Sequence, residues 1–329
     1  MTTMMPKVPA ACLNNRRVMP MIGIGTLRAY GDDVKVALNT ALECGYRHIN
    51  TAFLYQNETV IGEVLKEWFT SGRLKREDVF ITTKLPTIGN REKDMSRFLQ
   101  KSQDMLGLAY VDLYLVHFPV GLIGKDDNDI MPKDEEGNVA LDFETNLEGI
   151  WRGMEAQVDA GKAKSIGISN FNSMQIKRII KVARNKPANQ QVKHQAHHRQ
   201  PDLQRVCKQH GIAVCAYGPI GAPYKKSGTK EFPHLLERPV VSQIAKAHGK
   251  TAAQVLLRHL IQHDVIVIPK SANVERIKQN FQVLDFAPNP EDMAKLDALN
   301  RGGAGRTFIF KDFFRGIEKH PEFPFNAPF

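Results

Sequence analysis

Eight short apolar runs rich in β-forming residues alternate with helix-like segments along most of this 329-residue chain. These runs lack the strict alternation of apolar and polar residues that is typical of a sheet with one solvent-exposed face. Their pattern indicates strands that are covered on both faces. Eight strands, each followed by a helix, favour a closed parallel (β/α)8 barrel, a TIM barrel, as a single domain over residues 1–329. The runs are Met21–Gly25, Tyr46–Asn50, Val79–Lys84, Val111–His117, Lys164–Asn170, Asn189–Val192, Ile212–Tyr217 and Val265–Lys270.

Helix start and stop signals lie between these runs. Asn57 is placed to cap a helix that ends near Gly72, and Asn273 is placed to cap a later one. Thr145 and Glu148 have the spacing of a capping box, in which two side chains bond each other's backbone N–H groups. We therefore expect helices to begin at these three positions.

An open doubly wound sheet is the alternative architecture. Such a sheet usually carries G-x-G-x-x-G after its first strand, where the glycines let the backbone approach a dinucleotide. The chain reads GIGTLRAYG there, from Gly23 to Gly31, and lacks the third glycine at the required offset. The barrel is therefore the favoured prediction.

Charge and cysteine content exclude several classes of protein. The net charge of +10 suits an anionic partner, which could be nucleic acid, a membrane surface or a phosphorylated small molecule. The basic residues are scattered and form no basic-aromatic motif, so we expect no nucleic-acid partner. The four cysteines are too widely spaced for a disulfide framework or a zinc site. No uncharged run approaches ~18 residues and the start lacks the apolar core of a secretory signal, which predicts a cytoplasmic protein without a membrane span.

Polar side chains stand at the C-terminal ends of the predicted strands. In a (β/α)8 barrel these ends meet at one rim, which carries the chemistry. Burying such groups without partners costs several kcal/mol apiece, so their placement at this rim calls for a function. We therefore predict the functional site here. The residues are Asn50, Lys84, His117, Ser169, Asn170, Gln191, Tyr217 and Lys270.

The residue types at the rim narrow the reaction. No G-x-S-x-G elbow and no H-E-x-x-H motif occurs, which disfavours hydrolases and zinc proteases. The cluster His194, His197 and His198 offers metal ligands, but we expect these side chains to be solvated on a loop and predict no metal. A tyrosine can act as a general acid when an ammonium and an imidazole assist it. A Tyr, a Lys and a His at one rim therefore favour protonation of a carbonyl oxygen while a nicotinamide delivers hydride.

Five stretches occur in the order and at the strand ends expected of one family. They are GYRHINTAFLYQNE, FITTKL, DLYLVHFP, GISNF and IPKSANVERIKQN. From the hairpin before Met21 to about Asn300, the chain resembles the aldo-keto reductases. The resemblance implies an N-terminal hairpin that closes the barrel bottom, a tail over residues 300–329 at the mouth, and NADP(H) as cofactor. It implies reduction of a small-molecule carbonyl substrate to an alcohol by a monomer.

The resemblance also assigns roles at the rim. It makes Tyr55 the proton donor, Lys84 the group that lowers the pKa of Tyr55, and His117 the group that orients the carbonyl. For the cofactor, Ser169, Asn170 and Gln191 match the residues that hold the nicotinamide carboxamide, and Tyr217 matches the stacking ring. The remaining cofactor-binding positions implied by the resemblance are Gly25, Thr26, Gly218, Lys270, Ser271, Arg276, Gln279 and Asn280.

Two cations and a hydroxyl beside a helix N-terminus suit a phosphate, which favours NADP(H) over NAD(H). Two departures from the family pattern concern this cofactor. The usual V-E-C-H-P reads VKHQA at residues 192–196, and two common serines are replaced by Gly218 and Ala222. We therefore expect the pyrophosphate to depend more on backbone N–H groups.

The departure at Asn50 concerns catalysis, because the family carries Asp at this position. Without that carboxylate, Lys84 loses its counter-ion and its pKa falls. A neutral Lys84 would assist Tyr55 poorly, whereas a Lys84 that stays protonated would lower the pKa of Tyr55 further. We predict slow but measurable carbonyl reduction. The alternative is a catalytically weakened, reductase-like NADP(H)-binding sensor or regulatory protein.

Substrate choice is expected to depend on three connections at the mouth. These connections are residues 119–146, residues 220–238 and the tail from Asn300, which is too rich in Phe for a disordered segment. The predicted apolar walls suit a hydrophobic aldehyde, ketone or steroid-like carbonyl. The wall residues are Leu27, Phe118, Phe308 and Phe310.

Overall fold

The computed structural model describes residues 8–221, 234–308 and 310–326, which contain ten β-strands and ten α-helices. The strands are β1 Ala10–Cys12, β2 Val18–Pro20, β3 Ile24–Gly25, β4 His48–Asn50, β5 Phe80–Leu85, β6 Leu113–Val116, β7 Ile166–Ser169, β8 Asn189–Lys193, β9 Ala213–Tyr217 and β10 Ile266–Ile268. The helices are α1 Gly31–Cys44, α2 Glu58–Thr70, α3 Met95–Leu106, α4 Leu147–Asp159, α5 Ser173–Val182, α6 Pro201–Gln209, α7 Pro239–His248, α8 Ala252–Gln262, α9 Val274–Phe281 and α10 Pro290–Asp297. None of these helices is long and apolar enough to cross a membrane.

Strands β3 to β10 form one sheet in which every neighbouring pair is parallel and follows the order of the chain. The first and last strands meet, because Ile22 bridges Val267 in parallel. Two backbone bonds reinforce this closure, from Gly23 N to Val267 O at 2.9 Å and from Val267 N to Met21 O at 2.9 Å. The predicted eight strands and the (β/α)8 barrel are confirmed.

The strands are buried on both faces, as their lack of alternation predicted. Every residue of β5, β6 and β7 is buried. The helices supply the outer cover with apolar stripes, of which Ile61, Leu65 and Trp68 on α2 are an example. The main core therefore includes both the barrel interior and the layer between the strands and the helices.

The hairpin of β1 and β2 lies across the N-terminal end of the barrel. Its turn residue Asn15 donates from Nδ2 to the Ser165 hydroxyl at 2.9 Å, just before β7 begins. Asn14 donates to the Pro187 carbonyl at 2.7 Å, just before β8 begins. With Leu13 buried in the core, the hairpin closes the bottom of the barrel, as expected.

Of the three predicted helix caps, one is confirmed and two are wrong. Asn273 caps α9 by accepting from the N–H three residues later, at 2.9 Å. At α4, however, Asn146 is the cap and accepts from the N–H of Glu148 at 3.1 Å. The Thr145 hydroxyl donates instead to the Asp142 carbonyl at 2.6 Å, so the predicted capping box does not form. The cap lies one residue after the predicted position, because a local turn competes for the Thr145 hydroxyl.

Asn57 precedes α2, but its side chain does not cap the helix. It donates to the carbonyls of Thr26 at 2.9 Å and Ala29 at 3.0 Å, and accepts from the Thr51 hydroxyl at 2.9 Å. The buried amide therefore joins the loop after β3 to the loop after β4. The prediction of a capping side chain was wrong because these tertiary partners satisfy the amide instead.

The C-terminal residues 310–326 pack over the mouth of the barrel. Phe310 stacks on Phe118, which follows β6, with ring centroids 4.3 Å apart. Asn172, which follows β7, donates to the Pro324 carbonyl at 3.2 Å. Both contacts lie at the C-terminal ends of strands, so the tail covers the rim as expected. The buried tail residues of this apolar cluster are Phe310, Phe314, Ile317 and Phe323.

A contact between α2 and α3 gives the first testable prediction. A Cβ on Gly62 would lie 2.4 Å from the Met105 carbonyl oxygen, and this backbone cannot move independently of α3. Gly62→Ala should lower the free energy of unfolding by about 1–3 kcal/mol through overpacking, although alanine is the better helix former. Urea denaturation measures this change.

Gly303→Ala is the matched control, since nothing lies within 4 Å of its added Cβ, and it should change stability by less than about 0.5 kcal/mol. A Gly62→Ala protein at least as stable as the wild type would contradict the packing of α2 on α3.

Candidate active site

Four predicted catalytic residues lie on consecutive elements of the barrel rim. Asn50 is the last residue of β4, Lys84 lies in β5, and His117 directly follows β6. Tyr55 belongs to a 3₁₀ turn, Phe53–Tyr55, that follows β4. Because parallel strands end at the same rim, the order of the sheet alone brings these four side chains to one place.

The Lys84 ammonium is the centre of the group. It is 1% exposed, and its Nζ donates to Asn50 Oδ1 at 2.7 Å and to the Thr51 carbonyl at 2.7 Å. It also donates to the Tyr55 hydroxyl at 3.4 Å. The ring of His117 lies edge-on to the ring of Tyr55, with centroids 5.7 Å apart. The structure therefore brings the predicted phenol, ammonium and imidazole together, with Asn50 behind them.

Burial dominates the electrostatics of this group. It lowers the pKa of Lys84 to about 7, and a charge on Glu58 acts in the opposite direction. Burial raises the pKa of Tyr55. Burial, and then the Lys84 charge, holds the pKa of His117 well below its usual range. At neutral pH the site therefore holds a protonated phenol, a neutral imidazole and a lysine near its midpoint.

Glu58 is a buried carboxyl group that sequence reasoning missed, although it lies in the same quoted stretch as Tyr55. It accepts from the Thr83 hydroxyl at Oε1 and from the Ser102 hydroxyl at 2.9 Å. Its pKa is raised to about 7, first by burial, while these hydroxyls and Lys84 oppose the rise. An acid in the first turn of an otherwise apolar helix face was the signal in the sequence.

The predicted carboxamide-binding residues form a second connected group. The Tyr217 hydroxyl donates to Asn170 Oδ1 at 2.9 Å. Asn170 Nδ2 donates to Ser169 Oγ at 3.0 Å and to the His117 carbonyl at 2.9 Å. Gln191 is buried beside them in the middle of β8, where its Nε2 reaches the Cys215 sulfur at 3.8 Å. The two groups are thus joined through the backbone of His117.

Gly25 and Thr26 close the rim on the other side. The Thr26 hydroxyl donates to the Asn50 carbonyl at 3.1 Å, which attaches the loop after β3 to the catalytic group. A Cβ on Gly25 would lie 2.9 Å from the Ile268 carbonyl oxygen, so only glycine fits between β3 and β10. These contacts give both residues a role in holding the rim together.

The predicted phosphate cradle lies at the start of α9. Lys270 and Arg276 are exposed, and within the described residues their charged ends form no ion pair or hydrogen bond. The Ser271 hydroxyl accepts from the Asn273 N–H at 3.1 Å, which shapes the turn before the helix. The structure therefore presents two available cations beside a helix N-terminus, an arrangement that suits an anion.

Gln279 and Asn280 follow on the same helix. Asn280 is buried and Gln279 is half-buried, with its Nε2 3.5 Å from Glu275 Oε1. Gly218 directly follows β9 and has a φ of 55°, which places it in the left-handed region. Ala222 and the rest of residues 222–233, which include most of the predicted 220–238 connection, lie outside the described residues.

Three of the four predicted substrate-wall residues lie in one apolar cluster. Phe118 and Phe310 are buried and stacked, and Phe308 lies edge-on to Phe310 with centroids 5.0 Å apart. Phe308 also approaches the Tyr217 ring at 6.2 Å, so the cluster borders the carboxamide-binding group. Leu27 is 41% exposed and is not part of this cluster.

The histidine cluster after β8 is buried, so the expectation of solvated side chains was wrong. His194 and His198 are each 1% exposed, and His197 is 5% exposed. The start of the tail covers them, since His198 Nδ1 lies 2.7 Å from the Gly302 carbonyl and the Arg301 N–H donates to the His197 carbonyl at 2.9 Å. Burial lowers the pKa of all three imidazoles.

A different group has the spacing of metal ligands in the described part of the chain. It consists of His259, His263 and Asp297. The Arg199 guanidinium forms an ion pair with Asp297 Oδ1 at 2.9 Å, and it lies 3.2 Å from His263 Nε2. An arginine already neutralises the one carboxylate, so the arrangement is that of a structural hydrogen-bond network.

The fold and the rim define a barrel whose mouth brings together a phenol, a buried ammonium and an imidazole, with two exposed cations at a helix N-terminus. The model of the aldo/keto reductase family matches residues 21–301, so the chain belongs to this family. Membership makes it an NADP(H)-dependent oxidoreductase that acts on carbonyl groups.

Individual proteins agree with this membership. The chain is 40% identical over 321 residues to mouse (Mus musculus) aldo-keto reductase family 1 member A1, covering 96% of this chain and 98% of that protein. Among solved structures, the aldose reductase of Schistosoma japonicum is 39% identical with a TM-score of 0.89, over 98% of this chain and 100% of that one. A Bombyx mori aldo-keto reductase in complex with NADP is 33% identical with a TM-score of 0.85, over 97% and 99%.

The Lys84–Asn50 contact gives the second prediction. In Asn50→Asp a carboxylate replaces the amide oxygen that lies 2.7 Å from Nζ, which raises the pKa of Lys84 from its value of about 7. In the role predicted for Lys84 only the protonated lysine assists Tyr55, so wild-type turnover should fall as pH rises through about 7. In the variant, the pH at which turnover falls should be higher by at least about one unit. The pH profile of kcat measures the shift.

Asn50→Ser is the matched control, because it keeps position 50 neutral. In this variant kcat should fall at the same pH as in the wild type or at a lower one. If kcat falls at the same pH in Asn50→Asp as in the wild type, Lys84 is not the titrating group.

Glu58 gives the third prediction, through protein stability. Its pKa in the folded protein is about 7, above the ordinary value of 4.5, so the folded state gains its full proton-linked stability at low pH and loses it as pH rises from 4.5 through 7. Glu58→Gln should remove this loss, which is on the order of 1–3 kcal/mol. Urea unfolding of both proteins at pH 5 and pH 7.5 measures it.

Glu148→Gln is the control, since this acid also lies in the first turn of a helix but is only partly buried. Equal pH dependence in the wild type and Glu58→Gln would mean that Glu58 is ionised throughout this range.

Proposed function

We propose that this protein reduces hydrophobic aldehydes and ketones, including steroid-like carbonyls, to alcohols with NADPH, and that Tyr55 supplies the proton. The observation that carries the proposal is the meeting of the Tyr55 hydroxyl with a buried ammonium at 3.4 Å beside the His117 ring. This constellation suits general-acid catalysis at a carbonyl oxygen.

The residues present fit NADP(H) at both ends of the cofactor. Lys270 and Arg276 are exposed cations with no ion pair among the described residues, and they suit the 2′-phosphate that distinguishes NADP(H) from NAD(H). At the other end, the buried amide nitrogen of Gln191 has only a weak contact with the Cys215 sulfur among the described residues, which leaves it able to bond a carboxamide. Tyr217 offers an aromatic face there. NADPH, when bound, supplies the hydride.

The protein's own groups handle the proton. Tyr55 is the donor, because burial keeps its phenol protonated at neutral pH. After the proton leaves, the ammonium of Lys84 stabilises the phenolate that remains, which it can do only while it is charged. His117 is held neutral and orients the carbonyl oxygen by a hydrogen bond. Asn50 and Thr51 fix the position of Lys84 without adding charge.

The proposed substrate class follows from the wall of the mouth. Phe118, Phe308 and Phe310 form a continuous aromatic surface next to Tyr217. An apolar wall beside a few polar groups favours a carbonyl carried on a hydrophobic body. The tail residues in this surface make the C-terminal segment a determinant of substrate choice.

A second candidate function is an NADP(H)-binding sensor with little or no turnover. Asn50 favours it, because an amide in contact with Lys84 leaves the ammonium without a carboxylate at this position. The intact Tyr55, Lys84 and His117 favour the enzyme. The two candidates differ in turnover and agree in cofactor binding.

The fourth prediction tests the proposal directly. The wild type should oxidise NADPH in the presence of aromatic aldehydes and bulky ketones, and Tyr55→Phe should reduce kcat by about 10²–10⁴-fold by removing the general acid. NADPH affinity, measured by fluorescence titration, should stay within about twofold. Steady-state kinetics over a panel of carbonyls gives kcat and KM.

Tyr110→Phe is the matched control, since Tyr110 lies before β6 at the opposite end of the barrel and its cation–π contact with Arg76 survives in phenylalanine. It should leave both kcat and NADPH affinity unchanged. Tight NADPH binding without turnover on any carbonyl would favour the sensor, and absence of NADPH binding would contradict both candidates.

A further inference from the structure

Lys193 is a second buried lysine at the rim. It is the last residue of β8 and is 4% exposed. It pairs in register with Tyr217 of β9 and follows Gln191 by two residues. Side chains two apart on a strand share a face, so Lys193 lies on the face of Gln191 and at the level of Tyr217. Both of these neighbours belong to the proposed cofactor site.

The Lys193 ammonium is held beneath the turn that follows β9. Its Nζ donates to the carbonyl oxygens of Gly218 at 2.8 Å and Gly221 at 3.0 Å. The Gly221 N–H also donates to the Gly218 carbonyl at 3.1 Å, so these contacts close a compact turn. Carbonyls that face the ammonium cannot face a ligand on the other side of the turn. The lysine therefore fixes the orientation of the turn and also places a positive charge beneath it.

Gly218 and Lys193 occupy their space jointly. Gly218 has a φ of 55°, and a Cβ added to it would lie 2.4 Å from Lys193 Nζ. The ammonium thus takes the volume that a side chain at position 218 would fill. The cation stands where this rim would otherwise carry the side chain of the residue after Tyr217.

We propose that Lys193 is a binding determinant for the diphosphate bridge of the dinucleotide. The inference rests on the proposed function, which assigns the nicotinamide end to Gln191 and Tyr217 and the 2′-phosphate to Lys270 and Arg276. The diphosphate joins those two ends, and the Gly218–Gly221 turn leads directly away from Tyr217. A cation buried under this turn acts on the negative charge of the bridge, which the dinucleotides NADPH and NADH share.

The fifth prediction compares cofactor affinities of two neutral variants. Lys193→Met removes the charge and the donors, whereas Lys193→Gln removes the charge and keeps an N–H₂ group. Both should weaken NADPH and NADH binding to a similar degree, by about tenfold. Both should also flatten the salt dependence of the dissociation constant, because one cation is lost. Fluorescence titration over a range of NaCl concentrations measures both quantities without turnover.

Arg276→Gln provides the contrast within the same site. It should weaken NADPH binding but leave NADH binding unchanged, because only NADPH carries the 2′-phosphate. Lys162→Met is the control for a lysine at the opposite end of the barrel, before β7, and should alter neither affinity. Urea denaturation of each variant establishes that the protein used in the titrations is folded.

The outcomes are distinguishable. Equal loss for both cofactors in Lys193→Met and Lys193→Gln supports the proposal. Wild-type affinity in either variant, a loss confined to NADPH, or an unchanged salt dependence overturns it. A wild-type protein that binds neither cofactor overturns the proposed function itself.

A double-mutant cycle gives a second measurement if Lys193→Met is unstable. Gly218→Ala should weaken NADPH binding in the wild type by displacing Nζ, and should have a smaller effect in a Lys193→Ala background, where the space is vacant. Equal effects in both backgrounds would show that the ammonium and position 218 do not share a role in binding.

Discussion

A buried ammonium that must be held by neutral groups is the constraint on which the rest of this site depends. Lys84 reaches the rim because β5 runs parallel to β4 in a register that pairs Asn50 with Thr82. Two residues further on, the lysine side chain lies against Asn50 Oδ1 and the Thr51 carbonyl. A slip of one residue would turn Lys84 to the outer face of the barrel. The chemistry at the mouth therefore depends on strand register in the core.

A buried acid on the other side of the strand also acts on Lys84. Glu58 binds the hydroxyl of Thr83, whose side chain points away from the barrel interior because it neighbours Lys84 on β5. The carboxyl group and the lysine are thus separated by the barrel wall, yet each influences the other's pKa. With an amide at position 50, the charge of Lys84 becomes sensitive to pH near neutrality. The lysine at the rim is therefore coupled electrostatically to a carboxyl group in the outer helix layer.

The sequence predicted the parts of this structure that depend on periodicity and chain order. All eight barrel strands were anticipated, and chain order along the sheet was enough to bring Tyr55, Lys84 and His117 together. Side-chain partners far away in the chain were not predictable. Asn57 was expected to cap a helix but binds the Ala29 carbonyl, and His198 was expected in solvent but lies against Gly302. Each is a polar group whose partner is fixed only after the barrel closes.

The segment after Gln191 shows what such distant contacts achieve. At its start, the Lys193 ammonium holds the turn that follows β9. Two residues later, Gln195 Nε2 donates to the Gly305 carbonyl at 2.9 Å, and the His197 carbonyl accepts from Arg301 at the start of the tail. Buried polar groups must be paired, so this short stretch is fixed simultaneously to the proposed cofactor side and to the start of the substrate-side tail. The two sides of the mouth are therefore not independent, because a shift of this stretch displaces partners on both.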